Sequence, residues 1–296
     1  MYKFNRQFLL RVTTSTQEIV EITNPLTCEF DVSRKNLASL NTATFTIYNL
    51  NELTRQKIFK DIFDLDLVRK VEFWAGYAYD KQTFLARCFA GEIKQAYSFR
   101  DGPDYKTVID CWDAGKAAAL GFSNQTMPAG TSIKDMVAKL IETMPNIIGA
   151  TVSDQFDKKS ARSTVLFGNQ FDILSQITGG KFYVDSQQGF ALKDDDAIAG
   201  DINLIDDKLG LLGTPRRSQS AVEVTMLFEP RFVVSQYCEL QSTIEPIYNG
   251  VYKLTGIEHI GVISDAVSGE CKTTVTLFNT NIKNVIKNNI INYLNK

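Results

Sequence analysis

The sequence predicts a mainly β protein of the α+β class, with two similar tube-like antiparallel β-barrel domains, a small α+β insertion between them and a C-terminal helix. Three observations support this fold. Alternating apolar and polar residues dominate both ends of the 296-residue chain, and this alternation is typical of half-buried strands. The middle of the chain instead places apolar residues at helical spacing. The strand pattern of the N-terminal part recurs near the C-terminus.

The first β domain is predicted over residues 1–115. Apolar and polar residues alternate over 43–47 and again over 71–76. Turn-forming residues 100–104 separate two further strands, which predicts a long hairpin. One short helix is expected between the strands, with Asn51 as its N-cap.

The α+β insertion is predicted over residues 116–203. Ser132 is followed three residues later by Asp135, a spacing similar to a capping box, and the apolar residues that follow lie on one helical face. A second helix over 171–178 is expected to end at the glycines 179–180.

An internal repeat relates the second β domain, predicted over residues 204–280, to the first. The segments 43–50 and 71–75 have counterparts in 222–228 and 238–241. Because the order of the strand-like segments agrees, the repeat indicates a duplicated domain.

The long hairpin near the end of each copy carries most of this repeat. Placing Gly91 over Gly256 aligns two long strands, each followed by a polar turn and then by a Lys-Thr pair at Lys106 or Lys272. The separation from glycine to lysine is 15 residues in the first copy and 16 in the second. Any two antiparallel hairpins share some features, but the common order and length favour duplication.

A duplicated domain has a use in a symmetric assembly. Three copies of a two-domain chain present six similar units around one axis. Such a trimer matches a sixfold ring on one face and a threefold object on the other. Cyclic rings close through heterologous interfaces, and those interfaces cover strand edges that would otherwise promote aggregation.

Six segments carry a resemblance to a known family. They are residues 43–55, 71–77, 89–93, 130–132, 209–215 and 249–253, with His259 shortly after the last. On these segments the sequence resembles the baseplate hub proteins of bacteriophage tails, a family shared with contractile injection systems. The resemblance implies a homotrimeric, pseudo-sixfold structural ring that adapts the hexameric tail tube to a trimeric spike and continues the DNA conduit.

The resemblance also sets expectations for partners and location. The expected partners are further copies of the chain, a tail tube or tube-initiator protein, a spike protein and other baseplate proteins, within the virion tail. The chain lacks a long C-terminal extension, so we expect other proteins to carry any spike or lytic domain. With 32 Lys and Arg against 34 Asp and Glu, the net charge is −2, which suits DNA that passes through without specific binding.

Targeting and cysteine patterns indicate the host cytoplasm as the place of assembly. The longest apolar run in the first eleven residues has three members, whereas a signal peptide needs about 7–15. No apolar stretch approaches the roughly 18 residues of a membrane span, so no membrane anchor is expected. The five cysteines contain no Cys-x-x-Cys pair and are predicted to be buried free thiols.

Catalytic and metal-binding patterns are absent from the sequence, so we expect no enzyme activity, no cofactor and no metal site. His259 is the only histidine, and Glu258 beside it faces the other side of its strand, which disfavours a Ser-His-Asp triad. The acids 194–196 lack the spacing of a calcium loop and are expected to form a solvated turn. Arg216 and Arg217 are expected in a solvated loop.

Two other functions stay open. A tail-tip glycan (peptidoglycan) hydrolase requires a cleft with paired carboxylates, and 34 acidic residues offer many pairs. A carbohydrate- or receptor-binding β module requires exposed aromatic residues in loops, whereas Trp74 and Trp112 lie within strand patterns.

Residues 281–296 are predicted to form an amphipathic helix, because apolar residues recur at helical spacing among Lys and Asn. This helix would pack on its own β domain or bind a neighbouring subunit or the spike. Its candidate partner-binding residues are Ile282, Val285, Ile286, Ile290 and Leu294.

Overall fold

The computed structural model describes residues 5–14, 16–64, 67–79, 82–202, 204–286 and 293–295. Strands dominate this part of the chain, and fourteen of them belong to one large sheet. The structure therefore confirms a predominantly β protein. None of the helices among these residues is long and apolar enough to cross a membrane.

The N-terminal part contains seven strands and one short helix. They are β1 (Arg6–Thr13), β2 (Ile19–Thr23), β3 (Cys28–Lys35), β4 (Thr42–Tyr48), α1 (Glu52–Ile58), β5 (Lys70–Tyr79), β6 (Gln82–Asp101) and β7 (Asp104–Trp112). Alternation along β3–β5 turns aromatic rings inward, and the ring of Phe73 lies 5.2 Å from that of Phe30 and 4.7 Å from that of Phe45. Asn51 caps α1 as predicted, since its side chain accepts a hydrogen bond from the Thr54 amide.

The middle of the chain mixes helices and short strands around a buried core of its own. Its elements are α2 (Gly115–Leu120), β8 (Phe122–Met127), α3 (Ile133–Glu142), β9 (Gly149–Val152), β10 (Thr164–Asn169), α4 (Gln170–Thr178), β11 (Phe182–Asp185), β12 (Gln188–Ala191) and β13 (Asp196–Ile198). Ser132 caps α3 through the Asp135 amide, and Gly179 ends α4 with a φ of +66°. Both local predictions are confirmed.

The C-terminal part returns to strands and surrounds a second β core. Its strands are β14 (Leu204–Asp206), β15 (Leu211–Ser218), β16 (Ala221–Leu227), β17 (Tyr237–Gln241), β18 (Gly250–Ile263), β19 (Cys271–Phe278), β20 (Asn284–Ile286) and β21 (Tyr293–Asn295). All five cysteines are free and buried, as their strand positions predict.

Strand order repeats between the two β parts. In the first copy the neighbours run β3-β4-β7-β6-β5, and in the second they run β15-β16-β19-β18-β17. A bulge fixes the alignment, because β6 holds one extra residue, Lys94, opposite β7 and β18 holds one, Thr255, opposite β19. The two parts therefore share strand order and a bulge at the same place.

The predicted counterparts match in register once the bulges are superposed. Ala43 then corresponds to Val222, Val71 to Cys238, and Lys106 to Lys272. One prediction was wrong: the counterpart of Gly256 is Gln95, four residues beyond Gly91. The bulge, not a glycine, marks the common position in these strands.

The two copies share one sheet, and no closed barrel forms among the described residues. β18 is long enough to pair with β17 through its first residues and with β3 through residues 256–263, along the same edge. The sheet consequently runs without interruption from β15 to β2. The two predicted barrels are thus two copies of one open arrangement joined by the β3–β18 pair.

The prediction of a C-terminal helix over residues 281–296 was wrong for the described residues. Here β20 runs parallel to β13, and β21 runs antiparallel to β6. Asn and β-branched residues, which are poor helix formers, are frequent in this segment. Pairing with open strand ends is therefore more favourable than an isolated helical turn.

Candidate assembly surface

The C-terminal half of β6 has an unpaired edge. It extends beyond β5 and pairs only with β7. On the other side, Ala96 exchanges two backbone hydrogen bonds with Lys60, at 2.9 and 3.0 Å. Because alternate residues of a strand point to the same edge, the N–H and C=O groups of Ser98 and Arg100 also point there. No described residue pairs with them.

Exposed aromatic side chains cover the outer face of this hairpin. Tyr97 and Phe99 are 42% and 43% exposed, and their rings stack with centroids 6.2 Å apart. On the other face, the Arg55 guanidinium lies 4.1 Å from the centre of the Tyr105 ring. Since aromatic residues are enriched at protein interfaces, the tip of the β6–β7 hairpin is a candidate assembly surface.

A second unpaired edge belongs to β15. This strand ends the sheet and pairs only with β16 among the described residues. Arg216, Arg217 and Ser218 are exposed along it, and Arg216 makes an exposed 3.4 Å ion pair with Glu223. Both arginines were expected in a loop, because their segment shows no alternation of apolar and polar residues. The structure instead places them in a strand.

The insertion presents a separate apolar surface on the β8–β10 ribbon. Phe122 and Phe167 are 61% and 66% exposed, and their rings meet edge to face at 5.3 Å. Val165 is exposed on the same ribbon. Contiguous exposed apolar side chains mark binding surfaces, so this ribbon is a second candidate.

A buried ion pair fixes the insertion against the sheet. Two nitrogens of Arg34 on β3 donate to the two carboxylate oxygens of Asp185 on β11, at 2.8 and 2.6 Å. Arg34 also donates to the Cys88 carbonyl, and Asn41 donates to the Val184 carbonyl. Burial lowers the pKa of Arg34, but the charge of Asp185 and its hydrogen bonds outweigh burial and raise that pKa above its usual value.

The only histidine is a core residue. His259 is fully buried, its Nδ1 lies 2.8 Å from the Thr273 hydroxyl, and its ring packs edge to face on Phe228. Burial lowers the pKa of His259 to about 3, so the ring is neutral at pH 7. Glu258 is exposed on the opposite face of β18, as predicted.

No group of three or more His, Cys, Asp or Glu that suits a metal ion occurs among the described residues. Asp113 shows the raised pKa that a general acid needs, with burial as its main cause. Asp113 is only 1% exposed, however, so this carboxyl group is closed to a large substrate.

The acidic run forms a turn at residues 194–195, as predicted, with Asp194 exposed, but its last two residues also bind the C-terminal segment. Asp196 is fully buried and accepts hydrogen bonds from Gln155 at 2.8 Å and Asn284 at 3.0 Å. Burial disfavours the charge of Asp196, yet its hydrogen bonds lower its pKa. Asp195 lies 3.2 Å from the Lys283 ammonium group. These contacts hold β20 beside β13.

The candidate partner-binding residues occupy different environments. Ile286 packs against the second β core, whereas Val285 is 52% exposed and Ile282 is half-buried. The backbone of Leu294 pairs with Leu85 on β6, and Ile290 lies outside the described residues. The structure therefore brings three of the five to the strand region beside β13.

Three solved structures share the fold. A tail protein from Neisseria meningitidis MC58 is 10% identical, with a TM-score of 0.60 over 94% of this chain and 98% of that chain. The 43 kDa tail protein of prophage MuSo2 from Shewanella oneidensis is 9% identical, with a TM-score of 0.59 over 91% and 97%. A chain of the Francisella PdpA–VgrG complex is 10% identical, with a TM-score of 0.56 over 93% and 58%. At these identities the likeness concerns the fold alone.

Family membership comes from the sequence itself. None of the curated proteins matches it significantly. The model of the family described as baseplate hub gp41, however, matches residues 9–260 of the 296, which include the first copy of the repeat, the insertion and the second copy as far as β18. The chain belongs to the baseplate hub gp41 family, whose members have a structural role in the phage tail baseplate.

Proposed function

We propose that the protein is a homotrimeric hub ring that adapts a sixfold tail tube to a threefold spike. The observation that carries this proposal is the repeat of strand order and register within one chain. Three chains place six such copies around an axis, so one ring presents both symmetries. Two of the unpaired strand edges, on β6 and β15, supply surfaces through which a cyclic ring can close.

The proposed partners follow from this arrangement. They are further copies of the chain, a tail tube or tube-initiator protein, a spike protein and other baseplate proteins. Support comes from the structural neighbours, which are phage tail proteins and a PdpA–VgrG complex. The ring forms in the host cytoplasm and lets genomic DNA pass without specific binding, since the net charge is −2.

The same proposal assigns roles to the parts of the chain. Residues 1–115 and 204–280 form the two ring domains, and the insertion at 116–203 extends from the ring with its exposed Phe122–Phe167 pair. In the C-terminal segment, Val285 is the candidate available to a partner, because Ile286 already contacts the core of its own chain.

The function needs no catalysis, because extended interfaces carry it. A glycan hydrolase instead predicts an accessible carboxyl group with a raised pKa. The carboxyl group of Asp113 has a raised pKa, but it is buried and a glycan cannot reach it. Purified protein is expected to leave peptidoglycan intact in a turbidity assay, and clearance of the suspension would favour the hydrolase.

Sedimentation velocity tests the trimer directly. We expect a particle of about 100 kDa, three times the 33.2 kDa of one chain, over the micromolar concentration range. A particle that stays at the mass of one chain throughout this range would contradict the proposal.

A further inference from the structure

We propose that β15 of one chain pairs antiparallel with the unpaired edge of β6 in the next chain, so that the sheet continues around the ring. This inference rests on the proposed trimer. It adds the register of the interface, which follows from a junction that the chain already contains.

The internal junction provides the template. In one chain, β18 of the second copy pairs with β3 of the first through eight residue pairs. The bulge alignment makes β6 the counterpart of β18. Similarly, β3 and β15 are counterparts, because each pairs with the equivalent strand, β4 or β16. The corresponding junction between chains therefore joins β6 to β15.

Register follows from the same alignment. The internal pair His259–Val32 corresponds to Ser98 opposite Arg217 of the next chain. In turn, Glu258–Ser33 corresponds to Tyr97 opposite Ser218, and Ile260–Asp31 to Phe99 opposite Arg216.

Both edges are free where this register needs them. The backbone groups of Ser98 point to the unpaired edge of β6, as those of its counterpart His259 point to β3. β15 has no partner on its outer edge among the described residues. At Ala96 the edge is closed by Lys60, so the pairing begins immediately after that residue.

Side chains on the outer face are complementary in this register. Arg216 lies directly across from Phe99 and diagonally from Tyr97, two exposed rings that stack on each other. A guanidinium group over an aromatic face is favourable, and more so when the contact is shielded from water. The exposed rings thus gain a cationic partner from a second copy of the chain.

Disulfide trapping tests the register. Tyr97 and Ser218 form a non-hydrogen-bonded pair in the proposed junction, in which Cα atoms lie about 4.5 Å apart and a disulfide fits. The double variant Tyr97→Cys, Ser218→Cys is expected to yield linked dimers and trimers on mild oxidation, with no larger species. The native cysteines are buried and do not compete in the folded protein.

Two matched double variants control this experiment. Ser33→Cys with Glu258→Cys places cysteines at the equivalent internal pair and is expected to form an intrachain bond. Tyr97→Cys with Arg217→Cys shifts the register by one residue to the opposite face, so at least tenfold less linked product is expected. Equal linkage in the shifted variant would contradict the register.

A proline at the edge gives an independent test. The Ser98 amide makes no hydrogen bond within the described chain. Ser98→Pro and Ser98→Ala both lose the 2.9 Å contact of the Ser98 hydroxyl with Thr107, but only the proline also removes the backbone donor that the next chain needs. We expect the Ser98→Pro variant to form trimers at least tenfold more weakly than the Ser98→Ala variant. Circular dichroism should show that the monomers of both variants are folded. A trimer by mass that neither cross-links nor responds to proline overturns this interface but keeps the proposed ring. A persistent monomer overturns both.

Discussion

Buried polar side chains connect parts of the chain that are distant in sequence. Arg34 and Asp185 form a bidentate pair and are 4% and 5% exposed. Such a pair contributes little net stability, but removing one partner leaves a buried charge uncompensated. The pair therefore specifies how the insertion sits on the sheet.

Removing Arg34 alone should be costly. We expect Arg34→Met to lower the free energy of unfolding by about 3–5 kcal/mol, measured by urea denaturation. The double variant Arg34→Met, Asp185→Leu removes both charges and should recover most of this loss. If the single variant is as stable as the double variant, Asp185 is not held as a buried charge by Arg34.

His259 should make stability depend on pH. Its pKa is lowered to about 3 in the folded chain, against about 6.5 when unfolded. Protons therefore bind the unfolded state more tightly, and the stability that is present above pH 6.5 is lost as the pH falls toward 3. Between pH 7 and pH 5 we expect a loss of about 2 kcal/mol.

The variant His259→Gln isolates this effect. It should lack the 2 kcal/mol decrease between pH 7 and pH 5, while carboxyl groups titrate alike in both proteins. Chemical denaturation at the two pH values measures the difference, and parallel pH profiles would show that His259 is accessible to protons in the folded state.

Elements with local signals were predictable from the sequence. The caps at Asn51 and Ser132 and the stop at Gly179 rest on hydrogen bonds or backbone angles within a few residues. The register of β4 against β16 was also predictable, because period-2 burial in β4 recurs in β16, but that of β6 against β18 was not, because it depends on a bulge that no residue type marks. Local chemistry is sufficient for such features.

Pairings between distant strands were not predictable. The β3–β18 junction joins residues more than 200 positions apart, and its register depends on which edges remain open. The C-terminal segment shows the same limit, since its helical period gave no sign of β13 as a partner. The candidate surfaces on β6 and β15 escaped prediction for this reason, and only the repeat itself could have indicated them.

The attachment of β20 can be tested separately from assembly. Asn284 donates to the buried Asp196 carboxylate at 3.0 Å, and a hydrogen bond to a charged group contributes about 1.5–3 kcal/mol. Asn284→Ala should therefore speed trypsin cleavage after Lys283 by about tenfold or more. Asn281→Ala, an exposed change in the same segment, is the control, and equal cleavage rates would contradict this role.

For the whole molecule, the duplicated sheet is the feature that links fold to function. One chain joins its two copies through β3 and β18, whereas the equivalent strands β15 and β6 each keep an edge without a partner among the described residues. A ring of three chains repeats one kind of junction six times, alternately within and between chains. This arrangement gives a threefold assembly the outline of a sixfold one.

Electron cryo-microscopy of the purified ring measures this symmetry directly. The account predicts that a rotation of about 60° around the threefold axis superposes the first copy on the second, with both copies at the same radius. A trimer in which the two copies lie at different radii, or are related by another rotation, would contradict the adaptor function.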